Sequence, residues 1–419
     1  MNNAVVINTE PNFAIARARK KHNSQRRTVY FVEAAAAMGG VQFSTLYLVQ
    51  HLNPTLWEPI VICPEEGDLT EACRRSGVAV HILNCPRLRS TSFRLGHKLR
   101  LPNPLAWTWD GWAMFVAARR LARVLQQVNA DLIVTKGLFS HFYGGLAARQ
   151  LGIPCVWHVQ DFISERFWKV YQRLFGQVAR WMPDHIIVDG ASISRQLHRT
   201  VRNRTSIIHN AVDTNVFRPG LDGRTIRKEV GIPLDAMVIG HVGRMTPWKG
   251  QHYLLQAFVR IAAVMENVYL LFVGAPVFDS SAYQRDLINL TGKLGLNERV
   301  KFAGYRYDIP LVLASMDVFA FTSVEKDTSP LALLSAMSAG LPIVAFDIEG
   351  VRELLPADEQ ILVQVGQVNA LAWAITKLLS NPGLRRRSAD SARQRAEAEF
   401  GVDTYVSRVQ TAFLKAVDA

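Results

Sequence analysis

The stretch from Asp317 to Leu354, DVFAFTSVEKDTSPLALLSAMSAGLPIVAFDIEGVREL, restricts the possible folds more than any other part of the chain. Val318 to Phe321 is a short apolar run ending in a polar loop, the pattern of a buried strand. The loop Thr322 to Ser329 is rich in Ser, Thr and Asp. Pro330 stands where a helix would begin, a position at which a missing N–H costs nothing. Leu331, Leu334 and Met337 then recur at helical spacing. Gly340 ends that helix and Pro342 forbids its continuation. Ile343 to Phe346 is the next buried strand. A strand–loop–helix–strand unit of this kind belongs to a parallel sheet, and its loop lies at the carboxyl end of a strand, where open α/β sheets bind ligands. The first turn of the helix aims unpaired N–H groups and a positive dipole end into the loop, so an anion, phosphate above all, is the expected guest.

The same grammar recurs throughout. Strands are expected at Thr28–Val32, Pro59–Cys63, Val78–Leu83, Leu132–Thr135, Cys155–Val159, Ile186–Val188 and Ser206–Ile208. They resume at Met237–Val242, Tyr269–Val273 and Val300–Phe302, with helical patterns between them. Alternation on this scale, over 419 residues, predicts two Rossmann-like parallel-sheet α/β domains facing a cleft. Residues 1–27 read as a basic disordered leader and 28–210 as the first domain. The polar, Pro-Gly-containing stretch 211–223 reads as a linker. Residues 224–398 form the second domain, and 399–419 a C-terminal helix packing back on the first.

No apolar run reaches the length of a membrane span, and no apolar stretch of a signal peptide opens the chain. The four cysteines, Cys63, Cys73, Cys85 and Cys155, lack metal or redox spacing, which suits reduced thiols in a cytoplasmic protein. The charge is lopsided. Up to Asn210 there are 26 Lys and Arg against 13 Asp and Glu; beyond it the numbers are 22 and 22. The first half should therefore attract an anionic surface or partner. Within it, Arg87, Arg89, Arg94, Lys98 and Arg100 precede Trp107, Trp109, Trp112 and Phe115. Such a cluster serves either an interfacial membrane contact or, more plainly, a basic loop followed by a helix with its aromatics in the core. The stretch Glu165–Trp181 reads as an amphipathic helix, with Phe167, Tyr171, Leu174, Val178 and Trp181 along one face and Arg166, Lys169, Arg173 and Arg180 along another.

Several residues could carry chemistry. Gly39 and Gly40 lie between a strand and a helix and let backbone approach a ligand closely. Arg244 and Lys249 flank a turn at the carboxyl end of a strand, where a guanidinium fork and an ammonium suit the oxygens of a diphosphate. Asp327 heads the loop before Pro330 and would accept hydrogen bonds from ligand hydroxyls, as on a sugar. His158 follows a strand of the first domain and shares its loop with Asp161, which could orient it.

Taken together, Met38–Gly40, the NAVD of Asn210–Asp213 with Phe217 and Pro219, the GRMTPWKG of Gly243–Gly250 and the opening stretch resemble the retaining nucleotide-sugar glycosyltransferases of family four, of the GT-B type. The resemblance spans the chain from about Thr28 to the C-terminus. It implies transfer of a sugar from a nucleotide-diphosphate donor to a glycan or lipid-linked acceptor with retention of configuration, without a metal or cofactor. Gly39 and Gly40 would approach the donor's distal phosphate or sugar, and His158 would touch the sugar near the reacting centre. Arg244 and Lys249 would hold the diphosphate, and the amides of Leu331 and Ala332 would meet its oxygens. Asp327 matches the first of the family's two carboxylates separated by seven residues. The second, which in the family binds the ribose, falls on Ser335, a shorter and neutral side chain. That departure keeps open the alternative of a catalytically weakened donor-binding relative. A sugar-nucleotide epimerase or phosphorylase and a nucleic-acid binder are the other readings; no nucleic-acid module accompanies the charge. An anionic surface at the inner face of the plasma membrane is a further candidate partner.

Overall fold

The protein is described by a computed structural model that covers residues 26–86, 92–95, 99–163, 170–276, 281–325, 327–355 and 361–419. The leader through residue 25, and with it Arg87, Arg89, Lys98, Arg166, Phe167 and Lys169, lie outside the described residues. The chain divides into two compact units, residues 1–208 with 406–419, and residues 209–405.

The first unit is built on β1 (Arg27–Glu33), β2 (Trp57–Cys63), β3 (Ala79–Ile82), a hairpin of β4 (Ser92–Leu95) and β5 (Leu99–Pro102), then β6 (Leu132–Lys136), β7 (Cys155–Val159), β8 (His185–Val188) and β9 (Thr205–Ile207). Seven of these form one parallel sheet in the order β3-β2-β1-β6-β7-β8-β9; β4 and β5 pair only with each other, antiparallel. Between β1 and β6 the strand order reverses direction. Glu33 lies beside Lys136 across that switch point.

The second unit carries β10 (Met237–Val242), β11 (Val268–Val273), β12 (Val300–Phe302), β13 (Val318–Phe321), β14 (Ile343–Phe346) and β15 (Ile361–Val363), all parallel in the order β12-β11-β10-β13-β14-β15. Successive side chains of a strand point to opposite faces, and both faces of this sheet are covered. Val238, Leu271, Phe319, Phe321, Ile343 and Ala345 enter one core. Their neighbours Ile239, Leu270, Phe272, Val318, Ala320, Val344 and Phe346 enter the other. Two buried faces demand unbroken apolar strands, which is why Val318–Phe321 and Ile343–Phe346 read as runs and not as alternations. The switch point here lies between β10 and β13.

Three expectations change. Residues 211–223 are no free linker: Val212 is in the core of the second unit and bridges to Gly401. At the C-terminus, residues 399–405 stay with the second unit and only 406–419 join the first, where Phe413 packs edge-on to Trp57 with ring centroids 5.5 Å apart. The described helix after residue 169 spans Val170–Val178, and its face is rotated from the expected one. Phe175 and Ala179 are buried, while Leu174 and Trp181 are exposed beside Arg173 and Arg180. Two aromatic-rich neighbours decide this: Phe175 fits against Trp157 and Phe142, at 5.2 and 6.0 Å.

Candidate functional site

In the second unit the expected donor residues gather at the switch point. Beyond β10 the chain runs through Gly243 and exposed Arg244 into a 3-10 turn, Pro247–Lys249, and then the helix Gln251–Ala262. Gly250 joins turn to helix at φ +71°, and a Cβ there would stand 1.9 Å from the Thr322 carbonyl oxygen, so glycine alone allows the two loops to touch. The loops are also stitched together. Thr322 Oγ1 donates to the Lys249 carbonyl (3.1 Å) and the Val324 N–H to the Trp248 carbonyl (2.9 Å).

That contact brings Lys249 to Asp327. The Lys249 ammonium donates to Asp327 Oδ2, to which Ser323 Oγ also donates at 3.2 Å. The pair is largely enclosed, with side chains 12% and 16% exposed. Lys249 Nζ lies 4.5 Å from the Trp248 ring centre, and the Arg244 guanidinium 4.9 Å from the same ring. Trp248 thus places both cations by cation–π attraction. Asp327, expected to wait for ligand hydroxyls, is already occupied by the ammonium; attraction across a short, partly dry gap outweighs leaving either charge single.

The helix Leu331–Ser338 begins just beyond, with Pro330 as its N-cap and not its first residue, a one-position difference at a helix end. Its first-turn amides, those of Leu331 and Ala332 among them, have no intrahelical acceptor. The loop before it is clamped. Asn210 donates its backbone N–H to Ser329 Oγ (2.8 Å) and its side-chain amide to the Ser329 carbonyl (2.9 Å). Gly350 closes against the Asp327 carbonyl, 2.0 Å from where a Cβ would sit. Ser335 is buried in the second turn of the helix.

In the first unit the other expected residues lie at the carboxyl edge of the seven-stranded sheet. The helix Gly40–His51 starts at Gly40 with Gly39 as N-cap; Gly40 is exposed, with open space where a Cβ would be. His158 is completely buried. Its orienting carboxylate is Asp189, at the end of β8, and not Asp161, which is exposed. His158 Nε2 lies 3.1 Å from Asp189 Oδ1, while His158 Nδ1 has no partner. The chain leaves the sheet at Gln160, whose side-chain amide donates to Asp189 Oδ2 (3.0 Å) and Ser44 Oγ (2.9 Å). Lys136, fully buried, donates to Ser44 Oγ (2.7 Å), and Thr45 Oγ1 donates to Glu33 Oε1 (2.5 Å). Burial raises the Glu33 carboxyl and lowers the Lys136 ammonium, each opposed by attraction to the other. Burial also lowers His158, Lys136 adds to this, and Asp189 opposes it.

Sequence reasoning missed Glu33, Lys136, Gln160 and Asp189. One signal was available: each directly ends or follows a buried strand of the parallel sheet, at the edge where such sheets bind ligands. Gly39, Gly40 and His158 belong to one unit, and Arg244, Lys249, Asp327, Leu331, Ala332 and Ser335 to the other. Each set sits at its own sheet's carboxyl edge.

Two parallel-sheet α/β units, each with polar groups at the carboxyl edge of its sheet, are the architecture of the GT-B glycosyltransferases. Solved structures share the fold. The Anabaena protein Alr3699/HepE, in complex with UDP-glucose, superposes with a TM-score of 0.76 at 22% identity, over 92% of this chain and 98% of that one. Sucrose-phosphate synthase from Thermosynechococcus elongatus does so with a TM-score of 0.70 at 17% identity, over 93% and 99%. Residues 38–216 match the profile of Glycosyltransferase Family 4, and residues 222–395 that of Glycosyl transferases group 1. The chain belongs to this glycosyltransferase family. Among its relatives, UDP-Gal:alpha-D-GlcNAc-diphosphoundecaprenol alpha-1,3-galactosyltransferase of Escherichia coli is 23% identical over 71% of this chain and 78% of that protein. N-acetyl-alpha-D-glucosaminyl L-malate synthase of Bacillus anthracis is 26% identical over 71% and 77%.

Proposed function

We propose that this glycosyltransferase takes its sugar from a UDP-sugar, binds the diphosphate at the β10/β13 switch point, and transfers the sugar with retention to a lipid-linked glycan acceptor. The observation that carries the reading is that Arg244 and Lys249 share the Trp248 ring, and that Lys249 meets Asp327 in the loop leading into the helix Leu331–Ser338. As the glycosidic bond breaks, negative charge grows on the leaving phosphate, and preplaced cations and amides stabilise that charge more than the ground state. Asp327 holds Lys249 in place. The leaving phosphate oxygen takes the proton of the attacking acceptor hydroxyl on the same face of the sugar, which leaves the configuration unchanged and asks for no enzymic nucleophile. Arg244 and Lys249 supply the positive charge in a metal-independent reaction. At the edge of the other sheet, Gly39 and Gly40 leave room for close approach of a ligand, and His158 meets a sugar hydroxyl.

UDP as the nucleotide is supported by the names of the E. coli relative and of the Anabaena complex, and a lipid-linked acceptor by the former. The aromatic face of the helix Pro104–Gln126 supports action at a membrane surface. Its Trp107, Trp112 and Phe115 are 49%, 51% and 48% exposed, with Arg119 stacked on Phe115 at 4.5 Å, so these aromatics are not the core residues of the plainer expectation. No helix among the described residues is long and apolar enough to cross a membrane.

The test is a panel of UDP-glucose, UDP-galactose, UDP-GlcNAc and GDP-mannose, read by thermal stabilisation and by nucleotide release. A UDP-sugar should raise the melting temperature and GDP-mannose should not; stabilisation by none of the four sinks the reading. The weakened-relative alternative rests on Ser335 in place of a carboxylate. A large gain in nucleotide release by Ser335→Glu over a wild type that binds but scarcely turns over would favour it.

A further inference from the structure

His158 sits in a buried hydrogen-bond chain for which the reaction above has no use. The chain runs from His158 Nε2 to Asp189, from Asp189 Oδ2 to Gln160, from Gln160 to Ser44, and from Lys136 to Ser44. It joins the ends of β6, β7 and β8 to the helix that starts at Gly40. We infer that Asp189 is a positioning residue: it fixes His158 in the tautomer protonated at Nε2, so that Nδ1 keeps a bare lone pair for a sugar hydroxyl. The inference rests on the proposed role of His158 toward a sugar hydroxyl.

The chemistry of the partners sets the tautomer. A carboxylate only accepts, and both Asp189 oxygens face donors, His158 at 3.1 Å and the Gln160 amide at 3.0 Å. Nε2 must therefore carry the proton. A neutral imidazole has only one N–H, so Nδ1 is left as an acceptor, and burial keeps the ring neutral. Nδ1 is buried without a partner. Neighbouring His141 shows the contrast: its Nδ1 is bonded to Thr135 Oγ1 at 2.7 Å and its ring stacks on Trp157 at 5.0 Å. An interior acceptor without a donor is unfavourable, and where a fold keeps one, an incoming ligand group is the natural complement. A sugar hydroxyl supplies the donor. Asp189 touches no substrate in this scheme and acts only through the imidazole, as a triad carboxylate does for its histidine.

The experiment uses the full chain with 15N-labelled histidine, the His158 signals being assigned by their loss in His158→Gln. In the wild type at neutral pH, long-range proton–nitrogen spectra should show Nε2 protonated and Nδ1 bare. Asp189→Asn offers one oxygen to two donors, and Asp189→Ala offers none; each should let the Nδ1-protonated tautomer appear. Each should also lower kcat for nucleotide release from UDP-glucose by roughly tenfold or more, with a smaller change in KM. A wild-type His158 protonated at Nδ1 overturns the inference, as does a folded Asp189 variant that keeps both the wild-type tautomer and the wild-type kcat. Should neither variant fold, the wild-type spectrum alone decides. If the tautomer is as described but His158→Ala turns over normally, the holding of the ring by Asp189 stands and the role of His158 at the sugar fails.

Discussion

Lys249 and Asp327, 78 positions apart in sequence, form an enclosed ion pair over the point where β10 and β13 lie side by side. Neither loop alone has reason to hold a charge there; the parallel pairing Ile239 to Val318 and Gly240 to Phe319 brings the two loops to one place. Lys249→Ala should lower transferase turnover about 100-fold or more, because the charge growing on the leaving phosphate loses its ammonium. It should also destabilise the fold by leaving Asp327 unpaired, and Asp327→Asn in the same chain should recover stability but not turnover. Steady-state kinetics and chemical denaturation on the single and the double variant check both parts.

Asn210 acts on the same loop from its far side. Asn210→Ala removes the side-chain bond to the Ser329 carbonyl, worth about 1 kcal/mol, and leaves that buried carbonyl short of a donor. The loop that carries Asp327 into the helix Leu331–Ser338 should loosen. The expected result is a several-fold rise in donor KM with a smaller change in kcat, measured by nucleotide release over a donor titration.

Two glycines with nearly equal backbone angles separate conformational strain from steric collision. Gly250 and Gly295 stand at φ +71° and +66°, but a Cβ on Gly250 meets the Thr322 carbonyl oxygen and one on Gly295 meets open space. Gly295→Ala should cost about 1 kcal/mol, the ordinary penalty of a left-handed residue. Gly250→Ala should cost several times that or prevent folding. Urea denaturation of the pair tests the contrast; equal losses would show that the two loops do not touch.

His241 is fully buried at the end of β10, and burial lowers it to about 4 from an ordinary value of 6.5. Between those values the unfolded chain binds the proton and the folded chain does not. The stability it contributes is therefore complete above pH 6.5 and is lost as pH falls toward 4. At pH 5 the loss should be about 2 kcal/mol from this residue. His241→Phe should flatten the fall in melting temperature between pH 7 and pH 5.

The exposed Trp107, Trp112 and Phe115 on the helix Pro104–Gln126, next to Arg119, fit an anionic bilayer surface. Vesicles with about a third anionic lipid should carry the wild-type protein upward in flotation at low salt, less so at high salt. Replacing the three aromatics with serine should abolish flotation without lowering the melting temperature, since they contribute little to the core.

Most strands could be read from the sequence because a sheet buried on both faces leaves unbroken apolar runs: Val318–Phe321, Ile343–Phe346, Met237–Val242 and Cys155–Val159 agree with the structure to the residue. The antiparallel hairpin of β4 and β5 was not legible because its strands mix polar and apolar residues, and the edge strand β15 because three apolar residues are too few to distinguish a strand from a loop. The face of Val170–Val178 was misread because Leu174 and Phe175 are both apolar, and only the position of Trp157 decides which one is covered.

The sequence by itself determined the two parallel-sheet units and the places where their strands end, since apolar runs, glycines and prolines act over a few residues. It also determined that Arg244, Lys249 and Asp327 follow strand ends. What only the tertiary structure decided is pairing between distant groups: Lys249 with Asp327, Asn210 with Ser329, and His158 with Asp189 in place of nearby Asp161. The physical reason is that strand order in a parallel sheet brings together loops many residues apart, and charge and hydrogen bonding then select partners by distance in space and not along the chain.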